Sequence, residues 1–457
     1  MAFKDILIPK GFFDRDVMDH DVIDQESTNI PQRTDQFYEI KRRIHGRIIE
    51  EANLSIIDTI EPEVIREEVK RSVDYFLEDE KGLLNEEDHQ ALITEIIDEL
   101  IGLGPLEPLL KDRYVSDILC NTYKNVYVER FGILEKTNIR FMDDAHLMNI
   151  IDRIISRVGR RLDESTPMVD ARLADGSRVN AIIPPLAVDG PILSIRRFAV
   201  DPLQMADLIN YKSLTPEIAD FLGKCVKAKL NIMISGGTGS GKTTLLNILS
   251  GFISGKERIV TIEDSAELQL RQEHVVRLET RPENIEGTGQ VTQRDLVINS
   301  LRMRPDRIIV GEVRGPEAFD MLQAMNTGHD GSLTTLHANT PRDSLSRLES
   351  MIFMTGIKLP EKSTRFMISS ALDLIIQGTR LADGTRKITT VSEVVGIEGD
   401  VITLQEIFVY EKKGLDKDGK VLGHFRATGI RPKIAEKLEI AGLSVDEALF
   451  DPEKVYA

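Results

Sequence analysis

The chain has 457 residues, 41% of them apolar and 29% charged. At roughly 100–200 residues per domain this allows two to four domains with buried cores and excludes wholesale disorder. Two cysteines, Cys120 and Cys225, exclude a disulfide scaffold and a four-cysteine zinc site. Residues 1–100 carry 12 Lys+Arg against 26 Asp+Glu, a net of −14 out of −17 for the whole chain. That acidity excludes a basic nucleic-acid-binding arm at this end. Trp is absent and aromatics are 5%, so stacking platforms for single strands are sparse. The longest uncharged run, Thr243 to Gly255, is too short to cross a bilayer as a helix. No h-region with a cleavage site opens the chain, and a cytoplasmic protein is expected.

Residues 1–35 are polar and acidic without a sustained period, and are expected to form a flexible tail. Residues 36–105 read as a helical bundle. Ile44, Ile48, Ile49 and Ala52 share one face, as do Ile65, Val69, Val73 and Phe76, then Leu92, Ile93, Ile96, Ile97 and Leu100. Pro62 suits a helix start, and Gly102, Gly104 and Pro105 stop the third helix. Residues 106–201 change to short strand-like runs (VSDILCN, NVYVERFG, RVNAIIPP, PILSIRRF) around a helix near Ala145 to Val158, an α+β unit. Residues 202–214 read as a linker. From Thr215 to the end strands and helices alternate, as in a parallel sheet with crossover helices. Its strand candidates are NIMISG, RIVTIED, DRIIVGE, GSLTTLHA and LDLIIQGT, followed by a β-rich meander from Lys387 to Glu411 and a last helix pair at 433–449.

The sharpest motif is Gly236-Gly237-Thr238-Gly239-Ser240-Gly241-Lys242-Thr243, which fits G-x-x-x-x-G-K-[ST] in full. Its glycines let backbone N–H groups turn toward phosphate oxygens at the positive end of a helix. Lys242 is placed to reach the β and γ phosphates, and the Thr243 hydroxyl can ligate Mg²⁺. Thr244 continues into the helix. The expected ligands are therefore ATP and Mg²⁺. Three later segments place polar groups at strand ends, where open α/β sheets bind ligands. Ile259–Ile262 runs into Glu263, Asp264 and Glu267. Arg307–Gly311 runs into Glu312, which can hold a magnesium-bound water. The run from Gly328 to His337 reads as a strand with His329 at one end and His337 at the other, and either histidine could sense the γ-phosphate.

These blocks, GGTGSGKTT, TIEDSAELQL, LRMRPDRIIVGEVRGPEA and GHDGSLTTLHANTP, resemble the secretion ATPase superfamily, the hexameric motors of type II secretion, type IV pili and type IV secretion. They match its Walker A, Asp box, Walker B and His box. LIGLGPLEPLLKD, VSDILCN and VDARLADGSRVNAIIPP resemble the CpaF/TadA branch, the motor of tight-adherence pili. The resemblance implies a RecA-like P-loop ATPase core preceded by a smaller PAS-like α+β domain and the helical bundle. It makes Glu267 the catalytic glutamate, Glu263 a supporting one, Glu312 the Walker B acid and His337 the His-box histidine, with His329 as the second candidate. Arg178 and Arg196 match two arginines that act on the nucleotide phosphates in type IV secretion relatives; Arg172 and Arg197 are expected to be surface charges. The implied assembly is a homo-hexamer that drives an inner-membrane platform protein from the cytoplasmic face, without nucleic acid. Two other functions fit a P-loop core. A nucleic-acid translocase or helicase would need a basic stripe that a net of −3 over residues 101–457 does not favour. A non-hydrolysing nucleotide sensor would lack a base such as Glu267.

Overall fold

The structure is a computed structural model that describes residues 34–51, 62–77, 84–130, 133–173, 175–198, 202–283 and 288–456. The tail expected at 1–35 lies almost wholly outside the described residues, as does Ala52. The chain divides into two compact units, Met1–Ala199 and Val200–Ala457.

In the first unit, α1 (Asp35–Glu51), α2 (Pro62–Leu77) and α3 (Glu86–Ile101) bury Phe37, Ile44, Val73, Phe76, Leu92 and Ile96 against one another. The three- and four-residue spacing puts these side chains on single helix faces. Asn85 caps α3, its side chain accepting from the Asp88 N–H. After a short α4 (Glu107–Lys111) come β1 (Val115–Thr122), β2 (Asn125–Arg130), β3 (Ile133–Lys136), α5 (Asp144–Arg157), β4 (Met168–Arg172), β5 (Arg178–Ile182) and β6 (Ile192–Arg196). The strands form one antiparallel sheet in the order β3-β2-β1-β6-β5-β4. Alternate residues Ile118, Cys120, Val126, Val128, Leu193 and Ile195 face α5, whose Leu147, Ile150, Ile151 and Ile154 close the core.

A buried ionic cluster fastens the helices to this sheet domain. Glu99 on α3 is 3% exposed. Its carboxylate lies 2.8 Å from His146 Nε2 on α5 and 3.1 Å from Lys41 Nζ on α1. Arg153 of α5 donates to the Glu99 and Gly102 carbonyls, each at 2.7 Å. Burial pushes the Glu99 carboxyl up, but the hydrogen bond to His146 and the Lys41 charge bring it down to about 2. A carboxyl depressed in the folded state stabilises above its unfolded value, near 4.5, and that stability drains away as pH falls toward 2. A shift of this size is worth on the order of 3 kcal/mol. Glu99→Gln is therefore expected to unfold at lower urea than the parent at pH 6, with the gap closing between pH 4.5 and 2. A gap independent of pH would remove this role.

The second unit begins with α6 (Met205–Asn210), inside the segment expected to be a linker. A capping box between Gln204 and Asp207 starts this helix. Ser213 accepts from the Ile388 N–H and Leu214 is buried, so this stretch is tied into the unit. There follow α7 (Pro216–Lys227), β7 (Ile232–Gly236), α8 (Lys242–Ser250), β8 (Ile259–Glu263), β9 (Val275–Glu279), α9 (Gln293–Ser300), β10 (Arg307–Val310), α10 (Glu317–Asn326), β11 (Leu333–His337), α11 (Pro341–Phe353), α12 (Glu361–Ala371) and β12 (Leu374–Arg380). β13 (Arg386–Glu398), β14 (Val401–Leu415), β15 (Val421–Ala427), α13 (Ile434–Ile440) and β16 (Val455–Tyr456) complete it.

The sheet order is β16-β15-β14-β13-β12-β7-β11-β10-β8-β9. Strands β12, β7, β11, β10, β8 and β9 are parallel, and β13 to β16 continue antiparallel. The central strands are buried along their whole length, as both faces are covered. One apolar layer joins α7 and α8 to the sheet through Phe221, Leu222, Leu246 and Leu249. The other joins α10, α11 and α12 through Met321, Leu322, Leu348 and Ile368. The register sets His337 beside Gly236 and puts the carboxyl ends of β7, β8, β10 and β11 along one edge. The fold of the second unit is thus α/β with a P-loop core sheet, and the first unit is helical with an antiparallel sheet.

Candidate active site

Gly236 ends β7 and Lys242 is the first residue of α8. Gly241 is the cap in a left-handed conformation, φ 89°, and Gly239 has φ 69°. These two sites favour glycine for conformational reasons. At Gly236 the reason is space: a Cβ there would run into the Ser240 side chain and the Gly378 carbonyl of β12. Ser240 Oγ closes the loop by donating to the Gly237 carbonyl at 2.9 Å. Thr238 is exposed, and Thr243 and Thr244 are half-buried in the first helical turn.

Lys242 is only 8% exposed, although charged. Its Nζ donates to the Gly237 carbonyl at 3.0 Å and lies 3.2 Å from His337 Nε2. His337 Nε2 in turn lies 2.8 Å from Glu312 Oε1. Glu312 Oε2 accepts from Arg314 at 2.6 Å, and Arg314 reaches Asp264 Oδ2 at 3.2 Å. A continuous polar chain therefore runs along the carboxyl edge of the sheet, Lys242–His337–Glu312–Arg314–Asp264. Burial lowers the Lys242 ammonium pKa, and the nearby Arg314 charge adds to this while Glu312 opposes it. Burial and the Lys242 charge also hold His337 below its ordinary value, leaving it neutral at pH 7. The site is short of negative charge at the lysine, and an anion there would relieve the strain on both groups.

Glu263 and Glu267 are separated in role by geometry. Glu263 is buried, and its Oε2 accepts from the Glu267 and Leu268 N–H groups at 2.7 and 3.0 Å. Its side chain packs on Gly311, where a Cβ would come 2.8 Å from Glu263 Cγ. Glu263 therefore fixes the turn, and the turn carries Glu267, half-buried and close enough to Arg314 to favour that guanidinium's charge. The Gly311 carbonyl is held by Thr335 Oγ1 at 2.7 Å, which sets the backbone just before Glu312.

His329 lies at the other end of this run from His337, as expected, but outside the strand. The run from Gly328 is not one strand, because Gly328 and Gly331 take φ of 95° and 79° and β11 starts only at Leu333. His329 follows α10 at the amino end of β11. Seven residues separate it from His337, and the five-residue strand alone spans roughly 13 Å between its ends. Gly331 is needed there, since a Cβ would collide with Arg307, a fully buried guanidinium paired with Glu257 at 2.7 Å.

Arg178 and Arg196 lie in the first unit, directly opposite each other on β5 and β6. Arg172 on β4 is opposite Arg178, so three arginines form one row on one face of the sheet. Arg196 Nε donates to Asp117 at 3.1 Å and Arg172 Nε to the Gly176 carbonyl at 3.1 Å. Arg197 points to the Asp112 and Val115 carbonyls.

Three arginines of the second unit were missed in the sequence. Arg314 is the bridge just described. Arg386 Nε donates to the Gly239 carbonyl at 2.8 Å, and Arg380, its partner in the β12–β13 ladder, borders Gly239 as well. Their signal lies in the sheet register, Gly378 beside Gly236, which places the end of β12 next to the phosphate loop.

The chain matches the family described as Type II/IV secretion system protein over residues 99–422. A putative conjugal transfer protein of Mycobacterium tuberculosis is 37% identical over 331 residues, covering 71% of this chain and 93% of that protein. The conjugal transfer protein TrbB of Rhizobium radiobacter is 35% identical over 315 residues, covering 68% and 92%. Among solved structures, the VirB11 ATPase of the Brucella suis type IV secretion system, in complex with sulphate, is 28% identical with a TM-score of 0.36, over 63% of this chain and 95% of that one. The chain belongs to the type II/IV secretion system protein family.

Proposed function

We propose that the chain is an ATP-driven motor that powers assembly of a tight-adherence pilus, working as a homo-hexamer against an inner-membrane platform protein. The observation that carries the nucleotide reading is the buried Lys242 ammonium at the first turn of α8, seated in a glycine loop and hydrogen-bonded to the Gly237 carbonyl with the His337 imidazole beside it. A triphosphate would replace the Gly237 carbonyl as its partner. Among the described residues no group of three or more His, Cys, Asp or Glu could hold a metal alone. The donor set therefore fits a magnesium carried by phosphate oxygens, with the Thr243 hydroxyl as ligand and Glu312 reaching it through water. Glu267 takes the proton of the attacking water, Glu263 holds its turn, and His337 relays the state of the phosphate site between Lys242 and Glu312. The pilus branch rests on the sequence blocks between Leu100 and Pro185 and on the absence of a four-cysteine insert. No helix among the described residues is long and apolar enough to cross a membrane, so the proposed place at the inner membrane is reached through partners.

We assign Arg178 and Arg196 to the charge that develops on the transferred phosphoryl group. Their support is the row they share with Arg172, since three like charges on one sheet face favour an anion. Arg178→Ala and Arg196→Ala are each expected to bind ADP almost as the parent does and to lose at least about tenfold in ATPase rate, the worth of one charge-assisted contact. ADP affinity and steady-state rate measured together check this; parent-like rates in both variants refute it. Measured ATP hydrolysis by the purified chain tests the motor reading itself, and a DNA-stimulated rate would favour a nucleic-acid translocase instead.

A further inference from the structure

A second cavity, of about 560 Å³, lies between the N-terminus of α11, strands β13 and β14, and the segment after β15. Its lining includes Thr340, Arg342, Ser392, Thr403, Glu406 and Thr428. Its lining touches the motif blocks only at Thr340 and Pro341, the end of the His-box block, and none of the candidate site residues lines it. α11 has 13 residues, and its capping residue is Thr340, whose side chain accepts from the Asp343 N–H. Pro341 has no N–H, and the Arg342 N–H sits in the first turn, where no intrahelical partner exists. The dipole gives this end a partial positive charge, and the Arg342 side chain adds a full one. The independent observation is Ser392. It is 1% exposed, it borders the cavity, and its Oγ is buried without a hydrogen-bond partner. A buried hydroxyl left unpaired is costly, and such a group calls for an explanation by what it would bind.

We propose that this cavity is a binding site for a small organic phosphate that also carries hydroxyl groups. The phosphoryl group would accept from the Arg342 N–H and guanidinium and from the Ser392 hydroxyl. The Glu406 carboxylate, exposed at the rim, repels an anion from its own side and accepts hydroxyls from the organic part. That combination of one cationic end, a row of hydroxyls and one carboxylate suits a sugar phosphate better than a bare dianion. The site also has a route to the ATPase chemistry. Only Ala338 and Asn339 separate Thr340 from His337, and both of their carbonyls are held by Gln377 Nε2, at 3.2 and 3.1 Å. A ligand that draws in the first turn of α11 pulls on the strand end that positions His337.

The test uses ribose 5-phosphate and the full chain carrying Lys242→Ala, which weakens the phosphate loop as a competing site. Saturable binding by calorimetry is expected, and Arg342→Gln or Ser392→Ala in the same background should weaken it at least about tenfold. Ser392→Ala removes an unpaired buried oxygen, so the unliganded variant should melt at or above the temperature of its parent. That separates loss of ligand from loss of fold; Arg342 is exposed, which makes its variant benign to folding. No saturable binding, or binding that both variants retain, overturns the proposal.

Discussion

Glu267→Gln is expected to leave nucleotide affinity within about twofold of the parent and to lower the ATPase rate by more than about 10²-fold, the usual contribution of a positioned general base. The amide keeps the side chain's size and removes the basicity that takes a proton from water. The geometry makes the variant a clean one. What positions residue 267 is its backbone N–H, which donates to Glu263 Oε2 at 2.7 Å, and that contact does not depend on the side chain being changed. The companion Glu263→Gln probes the other role. It replaces a carboxylate oxygen that accepts two N–H groups in a buried place, so it is expected to disturb the turn and to lower stability as well as rate. Rate measured beside nucleotide affinity and thermal unfolding separates the two. If Glu267→Gln turns over ATP at the parent rate while Glu263→Gln is inactive and stable, the base is Glu263.

The parts of this site legible in the sequence are those whose requirements are local. A left-handed Gly241 ahead of a helix, and a Gly236 with no room for a Cβ, are demands of the loop itself, so they appear as a spaced motif. The alternation of strands and helices after Thr215 gave a parallel sheet, and the sheet formed. Carboxylates at strand ends were legible because strands in such a sheet all point one way, so Glu263, Glu312 and His337 come to a common edge. The strand expected from Gly328 is shorter than the pattern suggested, because Gly331, with a positive φ, lies between His329 and the start of β11 at Leu333. The same logic was silent on Arg386, 147 residues from Gly239, because the contact depends on which strand lies beside β7, and hydrophobic pattern does not encode sheet order. It was equally silent on the cluster of Glu99, Lys41 and His146. Each looks like an ordinary surface charge in a helical pattern, and only the packing of α1, α3 and α5 buries them together.

Lys242→Ala is expected to reduce affinity for a magnesium–ATP analogue by roughly 10²-fold or more. The ammonium offers charge-assisted contacts to two phosphate groups, each worth about 1.5–3 kcal/mol, and every 1.4 kcal/mol is tenfold. Arg386 and Arg380 border the same loop, but Arg386 is already engaged with the Gly239 carbonyl at the loop's outer side, so neither substitutes for a cation at the base of the loop. The variant should not lose stability when no nucleotide is present. A lysine whose pKa is lowered on folding, here first by burial, has its charged form disfavoured in the folded state, and that penalty applies below the unfolded value, through neutral pH. Removing it therefore lifts a penalty, and the unliganded variant is expected to melt no lower than the parent. The rise in melting temperature that an ATP analogue gives the parent should shrink with the affinity. A third readout is independent of binding. The Lys242 charge helps hold His337 low, after burial itself, so in the variant the imidazole should titrate at a higher pH by NMR. An unchanged His337 titration together with parent-like affinity for the analogue would show that Lys242 does not face the phosphate site, and the nucleotide reading of the loop would fall with it.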